Sequence, residues 1–181
     1  MNIVIIPARG GSKRIPRKNI KVFNGYPMIF WAIKIAKSTN IFDKIIVSTE
    51  DKEISEIARS YNAEVPFLRP KDLADDYTNT PEVVEFTIQE LQNLDYKFNS
   101  VCCIYPTVPL LIKEDIIEGK KTMDNNIENK FVFAATTFDY PIQRALILDD
   151  NKNSKMVDKR YLYTRSQDLE MTFHDAGLFY W

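Results

Sequence analysis

Between residues 9 and 21 the chain carries six cations, Arg9, Lys13, Arg14, Arg17, Lys18 and Lys21, and no Asp or Glu. Like charges crowded into one loop repel each other, and an anion among them relieves the repulsion. The same stretch holds Gly10 and Gly11, two of only five glycines in the sequence. Glycine lets a backbone approach phosphate oxygens closely, and its N–H groups, with that of Ser12, can form an anion nest. Arg9, Lys13 and Lys18 can each neutralise part of a triphosphate that would otherwise repel a nucleophile. A solvated basic loop is the plainer alternative, and it leaves the glycine pair unexplained. Neither GxxxxGK[ST] nor GxGxxG occurs, so the two commonest phosphate loops are excluded.

The elements that must position this loop alternate. Ile3 to Ile6 is a continuous apolar run, as in a strand covered on both faces. Asn24-Gly25 marks a turn. Pro27 then opens a helix whose expected buried stripe is Met28, Trp31, Ala32, Ile35 and Ala36. Lys44 to Ser48 reads as a strand, and Ile54, Ile57, Ala58 and Tyr61 as a helix after Asp51. Glu64 to Phe67 is a short strand that Pro66 limits. Thr80 is the expected N-cap of a further helix, with Pro81 at N1 and Val84, Thr87, Ile88 and Leu91 facing inward. Ser100 to Ile104 is a strand, Lys113 to Met123 a helix and Phe131 to Ala135 a strand. This order predicts a doubly wound, mostly parallel α/β sheet. Ligands of such sheets bind beyond the carboxyl ends of the strands, where the basic loop begins.

From Phe138 to Asp175 the rhythm breaks into polar, aromatic, loop-like sequence, with an exposed turn expected over residues 149–155. The expected organisation is an α/β domain of residues 1–137 and 176–181 with an insertion at 138–175. Gly177 to Trp181 reads as a returning strand, and an ending directly on a core strand suggests a fragment lacking its C-terminal part. The formal net charge is −1 and the only cysteines are the adjacent Cys102 and Cys103. One basic spot in an otherwise acidic chain argues against a nucleic-acid partner, which needs a basic face. No run approaches the length of a membrane span, and no export signal is recognisable. Neighbours on a strand point to opposite faces and cannot readily bridge, so the thiols suggest the reducing cytoplasm.

The pattern AR-x-x-SK-x-x-x-x-KN over Arg9 to Asn19 resembles the cytidylyltransferases that activate nonulosonic acids, the CMP-sialic acid synthetase group. The likeness continues in IFDKIIVSTED (41–51), RPKDLADDYTNT (69–80), YPTVPLL (105–111), YPIQRAL (140–146), TRSQDL (164–169) and HDAGLFYW (174–181). Within that family, YPT and HDAG resemble the pseudaminic acid branch.

The resemblance implies a Rossmann-like nucleotidyltransferase with an inserted dimerisation arm, hence a homodimer. It implies transfer of CMP from CTP to a nine-carbon 2-keto sugar acid with Mg²⁺, sialic and legionaminic acids being the alternative acceptors. Arg9, Lys13 and Lys18 would hold the triphosphate beside Gly10, Gly11, Ser12 and Asn19. Arg69 and Thr80 would contact cytidine, although Thr80 as a bare helix cap is an equal reading. Tyr105, Arg165, Gln167, His174 and Asp175 are the sugar-side candidates. Arg suits a carboxylate because it pairs with it bidentately. Tyr105 also reads as a core aromatic at a strand end, and His174, the only histidine, as a structural one. The family's metal-binding aspartates would lie beyond residue 181, which leaves the metal ligands unknown. A non-catalytic nucleotide-binding relative is the alternative from another class.

Overall fold

The computed structural model describes residues 1–125, 128 and 131–181. It divides into two compact units, residues 1–134 with 177–181, and residues 135–176. The first contains strands β1 (Asn2–Pro7), β4 (Lys44–Ser48) and β5 (Ser100–Ile104), and helices α1 (Met28–Ser38), α2 (Lys52–Ser60), α3 (Thr80–Asn93) and α4 (Lys113–Asn125). A small hairpin, β2 (Val22–Phe23) with β3 (Tyr26–Pro27), precedes α1. Its turn places Asn24 at φ 48° and Gly25 at φ 82°, the conformation that Asn-Gly accepts most easily. Strands β6 (Phe133–Thr137) and β9 (Phe173–Tyr180) lead the chain out of the first unit and back into it.

The central sheet runs β4-β1-β5-β9-β6. β1 pairs in parallel with both β4 and β5, so it is covered on both edges and both faces. Ile3, Val4, Ile5 and Ile6 are fully buried, as a continuous apolar run requires. Their alternation splits the core in two. Val4, Ile6, Val47, Cys102 and Ile104 pack with α1, α2 and α4 on one face. Ile3, Ile5, Ile46 and Cys103 pack with Val84 and Leu91 of α3 on the other. The sheet is mostly parallel, as expected, and its antiparallel member is β9, which pairs with β5 through Cys103 opposite Tyr180 and Ile104 opposite Phe179. Trp181 then seals the core, donating its indole N–H to the Ile116 carbonyl at 3.0 Å and stacking on Phe42.

Three local expectations shift. The buried stripe of α1 is Ile29, Ala32, Ile33 and Ala36, one residue on from the expected start. Trp31 instead joins Phe23, Tyr26 and Phe30 in an aromatic group beside the hairpin and donates to the Phe23 carbonyl at 3.1 Å. The cap of α3 is Asn79, whose side chain accepts the Glu82 N–H at 2.9 Å, and Thr80 is the first helical residue. Glu64 makes only an isolated parallel bridge to Ile46, because Pro66 cannot continue a ladder.

The second unit holds the antiparallel hairpin of β7 (Leu146–Leu148) and β8 (Ser154–Met156). Its turn is built by Asp149, whose carboxylate accepts the N–H groups of Asn151 and Asn153, with Lys152 at φ 64°. Leu146, Ile147, Leu148, Val157, Met171 and Phe173 of this unit are exposed.

Candidate functional site

β1 and β5 are parallel neighbours, so their carboxyl ends open on the same side of the sheet. A cavity of about 670 Å³ lies there, lined from β1 and its following loop by Pro7, Arg9, Ser12, Lys13, Arg14, Lys18 and Asn19. Arg69, Thr80 and the run Tyr105-Pro106-Thr107 after β5 complete its wall. Eight residues expected at a ligand site from sequence, Arg9, Ser12, Lys13, Lys18, Asn19, Arg69, Thr80 and Tyr105, therefore line one cavity. Arg14, outside the sequence pattern, lines it too.

The cavity is cationic but not uncompensated. Asp76 pairs with Arg9 at 3.0 Å and with Lys13, while the Asp75 carbonyl accepts from Arg9. Lys13, then Arg9, hold the Asp76 carboxyl below the usual carboxylate range. Asp75 is lowered as well, because Thr78 and Tyr77 donate to it. Asn19 is 3% exposed and donates to the Arg9 carbonyl at 2.8 Å, which fixes the two ends of the basic loop against each other. Its Oδ1 is buried without a protein partner.

Of the glycine pair, only Gly10 is tightly packed. Gly10 and Gly11 do not line the cavity. The Gly10 N–H donates to Glu50 at 2.7 Å, and a Cβ at Gly10 would collide with the Asp51 carboxylate and meet Arg17 at 3.0 Å. The Ser12 N–H returns to the Gly10 carbonyl. Gly11 is open, and a side-chain carbon there would find nothing within 4 Å. The loop is thus pressed onto the segment after β4. The Ala8 N–H donates to the Ser48 carbonyl, and Arg17, held at φ 53°, pairs with Asp51 and Glu53.

Arg69 is 4% exposed. Burial pulls its guanidinium pKa down, with Arg9 adding a smaller push, and Glu50 opposes both. Glu50 bridges the two halves of the site, accepting from Gly10 with one oxygen and from Arg69 at 3.1 Å with the other. Sequence alone assigned no site role to Glu50, Asp51, Asp75 or Asp76, although STED (48–51) and LADD (73–76) are the acidic segments that follow the basic loop.

The other sugar-side candidates belong to the second unit. Arg165 is exposed and paired bidentately with Asp168, at 2.7 and 3.1 Å. Gln167 is exposed in the short turn Ser166–Asp168. The His174 ring lies 2.8 Å from the Asp175 carbonyl through Nδ1 and packs against Phe138.

A mostly parallel sheet with a cation-lined mouth at its strand ends defines a nucleotide-binding α/β protein. The family model described as Cytidylyltransferase matches residues 3–180, and the chain belongs to that family. It is 48% identical over 179 residues to a pseudaminic acid cytidylyltransferase of Campylobacter jejuni subsp. jejuni, covering 99% of this chain and 77% of that relative. It is 30% identical to an N-acylneuraminate cytidylyltransferase of Escherichia coli O18:K1:H7, covering 97% of this chain and 40% of the relative. A solved CMP:2-keto-3-deoxy-manno-octonic acid synthetase complexed with CTP shares the fold at TM-score 0.72 and 13% identity, covering 99% of this chain and 73% of that one.

Proposed function

We propose that this chain transfers CMP from CTP to a nonulosonic acid, with pseudaminic acid as its first substrate. The observation that carries the reading is the cavity where Arg9, Lys13, Lys18, Arg69 and Thr80 converge with Tyr105. Arg9, Lys13 and Lys18 hold the triphosphate, with Asn19 beside them. Arg69 and Thr80 face the nucleoside, and Tyr105 shapes the sugar end. Arg165, Gln167, His174 and Asp175 are proposed sugar contacts. In the reaction the sugar's anomeric oxygen bonds the α-phosphorus, the bond to the β-phosphate oxygen breaks, the hydroxyl proton is released, and pyrophosphate leaves. Catalysis is then mostly positioning and charge stabilisation.

Mg²⁺ is the proposed cofactor and would offset triphosphate charge. Among the described residues no group of three or more His, Cys, Asp or Glu could hold a metal. The cavity's two carboxylates are already engaged, Asp76 by Arg9 and Lys13, Asp75 by Thr78 and Tyr77. A metal held chiefly by substrate phosphates suits that set. No helix among the described residues is long and apolar enough to cross a membrane, and the proposed location is the cytoplasm. The proposed assembly is a homodimer through the exposed apolar side chains of residues 135–176.

The test is pyrophosphate release from CTP and Mg²⁺ with pseudaminic, legionaminic and sialic acids, each product identified by mass. Release with pseudaminic acid above the others is the expected result. Silence with all three overturns the proposal.

A further inference from the structure

Glu50 follows β4, reaches the loop after β1 and also touches Arg69, three segments far apart in sequence. We infer that Glu50 is a positioning residue for CTP, one carboxylate that sets both the triphosphate loop and the buried Arg69. The inference rests on the reading of this cavity as a CTP site.

The physical case has three parts. A guanidinium buried as deeply as Arg69 needs a counter-charge, and Glu50 is its ion-pair partner. Arg69 is not used up by that pairing, because its Nε is buried with no protein acceptor. The charge is therefore balanced while a donor stays uncommitted beside the cavity. On its other oxygen, Glu50 takes the Gly10 N–H at 2.7 Å. That bond sits one residue from Arg9 and three from Lys13, so it sets where the loop's cations stand. Glu50 itself is absent from the cavity wall. It acts through its two partners and not on the substrate.

The experiment compares the full chain with Glu50→Gln, Glu50→Ala and Arg69→Met, by calorimetric titration with CTP and by thermal melting. Wild type binding CTP establishes the site reading first; no binding overturns that reading and this inference with it. Glu50→Ala loses both contacts, and its CTP affinity is expected to fall by about tenfold or more, by analogy with the loss when the outer partners of metal ligands are removed. Glu50→Gln keeps an oxygen for the Gly10 N–H but removes the charge facing Arg69, so its loss should be smaller. Glu50→Gln should lower CTP affinity with Arg69 present and have no further effect in the Arg69→Met background, a pair of outcomes that a purely structural role does not produce. Folded Glu50→Gln and Glu50→Ala with wild-type affinity overturn the inference. If Glu50→Ala does not melt cooperatively, Glu50→Gln decides alone. A Glu50→Gln chain that does not fold assigns the residue to stability and also overturns it.

Discussion

Lys13 is 81% exposed, yet it shares Asp76 with Arg9. A triphosphate entering the cavity competes with Asp76 for those two cations. Asp76→Asn keeps the side chain's shape and removes the competing charge, so CTP affinity should rise, most at low ionic strength, with the gain shrinking as salt screens it. Titrations at two salt concentrations check this; an affinity unchanged at low salt would show that Asp76 does not compete. Lys13→Ala removes a cation that faces charge developing on the phosphates and should lower the rate by about a hundredfold. Its melting temperature should stay near wild type, because exposed ion pairs contribute little. A large drop in melting temperature would make the loop structural instead. The thiols call for a different probe. Burial pushes Cys103 up to about 12 and Cys102 also upward, so neither forms thiolate near neutral pH. A thiol-reactive dye should label neither residue until denaturant is added.

At the scale of elements, Asp51 joins three things: it caps α2 through the Ile54 N–H at 3.0 Å, pairs with Arg17 and blocks any side chain at Gly10. Arg17 first, then the helix N–H groups, hold its carboxyl below the ordinary value of 3.8, against the opposing effect of burial. A carboxyl lowered on folding binds fewer protons than in the unfolded chain. Its stabilisation is complete above the ordinary carboxyl pKa and is lost as pH falls through the lower, folded value. Asp51→Asn keeps the cap and should flatten that acid-side loss in melts taken at falling pH. Asp51→Ala also loses the cap, at a cost of about 1 kcal/mol at neutral pH. Gly119 in α4 gives a second test. A Cβ there would lie 2.9 Å from the Phe179 ring, so Gly119→Ala should lower the melting temperature despite its better helix propensity. Period and punctuation made strands and helices of this kind legible: a continuous apolar run must be covered on both faces, and Pro near a helix start marks its first turn. They left the facing of α1 open, because Met28 and Trp31 fit a stripe as well as Ile29 and Ile33 do, and only the hairpin beside Trp31 decides. Thr80 and Asn79 are both good caps, and sequence alone cannot rank them. The basic half of the cavity was legible because repulsion needs an explanation. The carboxylate behind it was not, since Glu50 lies 40 residues from Gly10 and 19 from Arg69. No local pattern encodes such a distance.

Across the whole molecule, apolar surface is distributed unevenly. In the second unit, Leu146 and Leu148 stand on one face of a two-stranded hairpin, 61% and 65% exposed. The proposed homodimer would cover them, so Leu148→Glu should shift sedimentation from dimer toward monomer; a wild-type chain that sediments as a monomer at all concentrations overturns the assembly. The first unit has a different dependence. β5 is flanked on one edge by β1 and on the other by β9, which arrives only after the entire 135–176 excursion. During synthesis, Ser100 to Ile104 therefore exists for some time with a bare edge, an apolar template open to other chains. Closing that edge requires joining segments separated by a long stretch of chain, which makes it a late and slow event. Pulse-labelled hydrogen exchange during refolding should find Phe179 and Trp181 protected after Val4 and Ile46. The ribosome must deliver the excursion before the core can shut, so the vulnerable moment in this protein's life is set by the order in which its residues emerge.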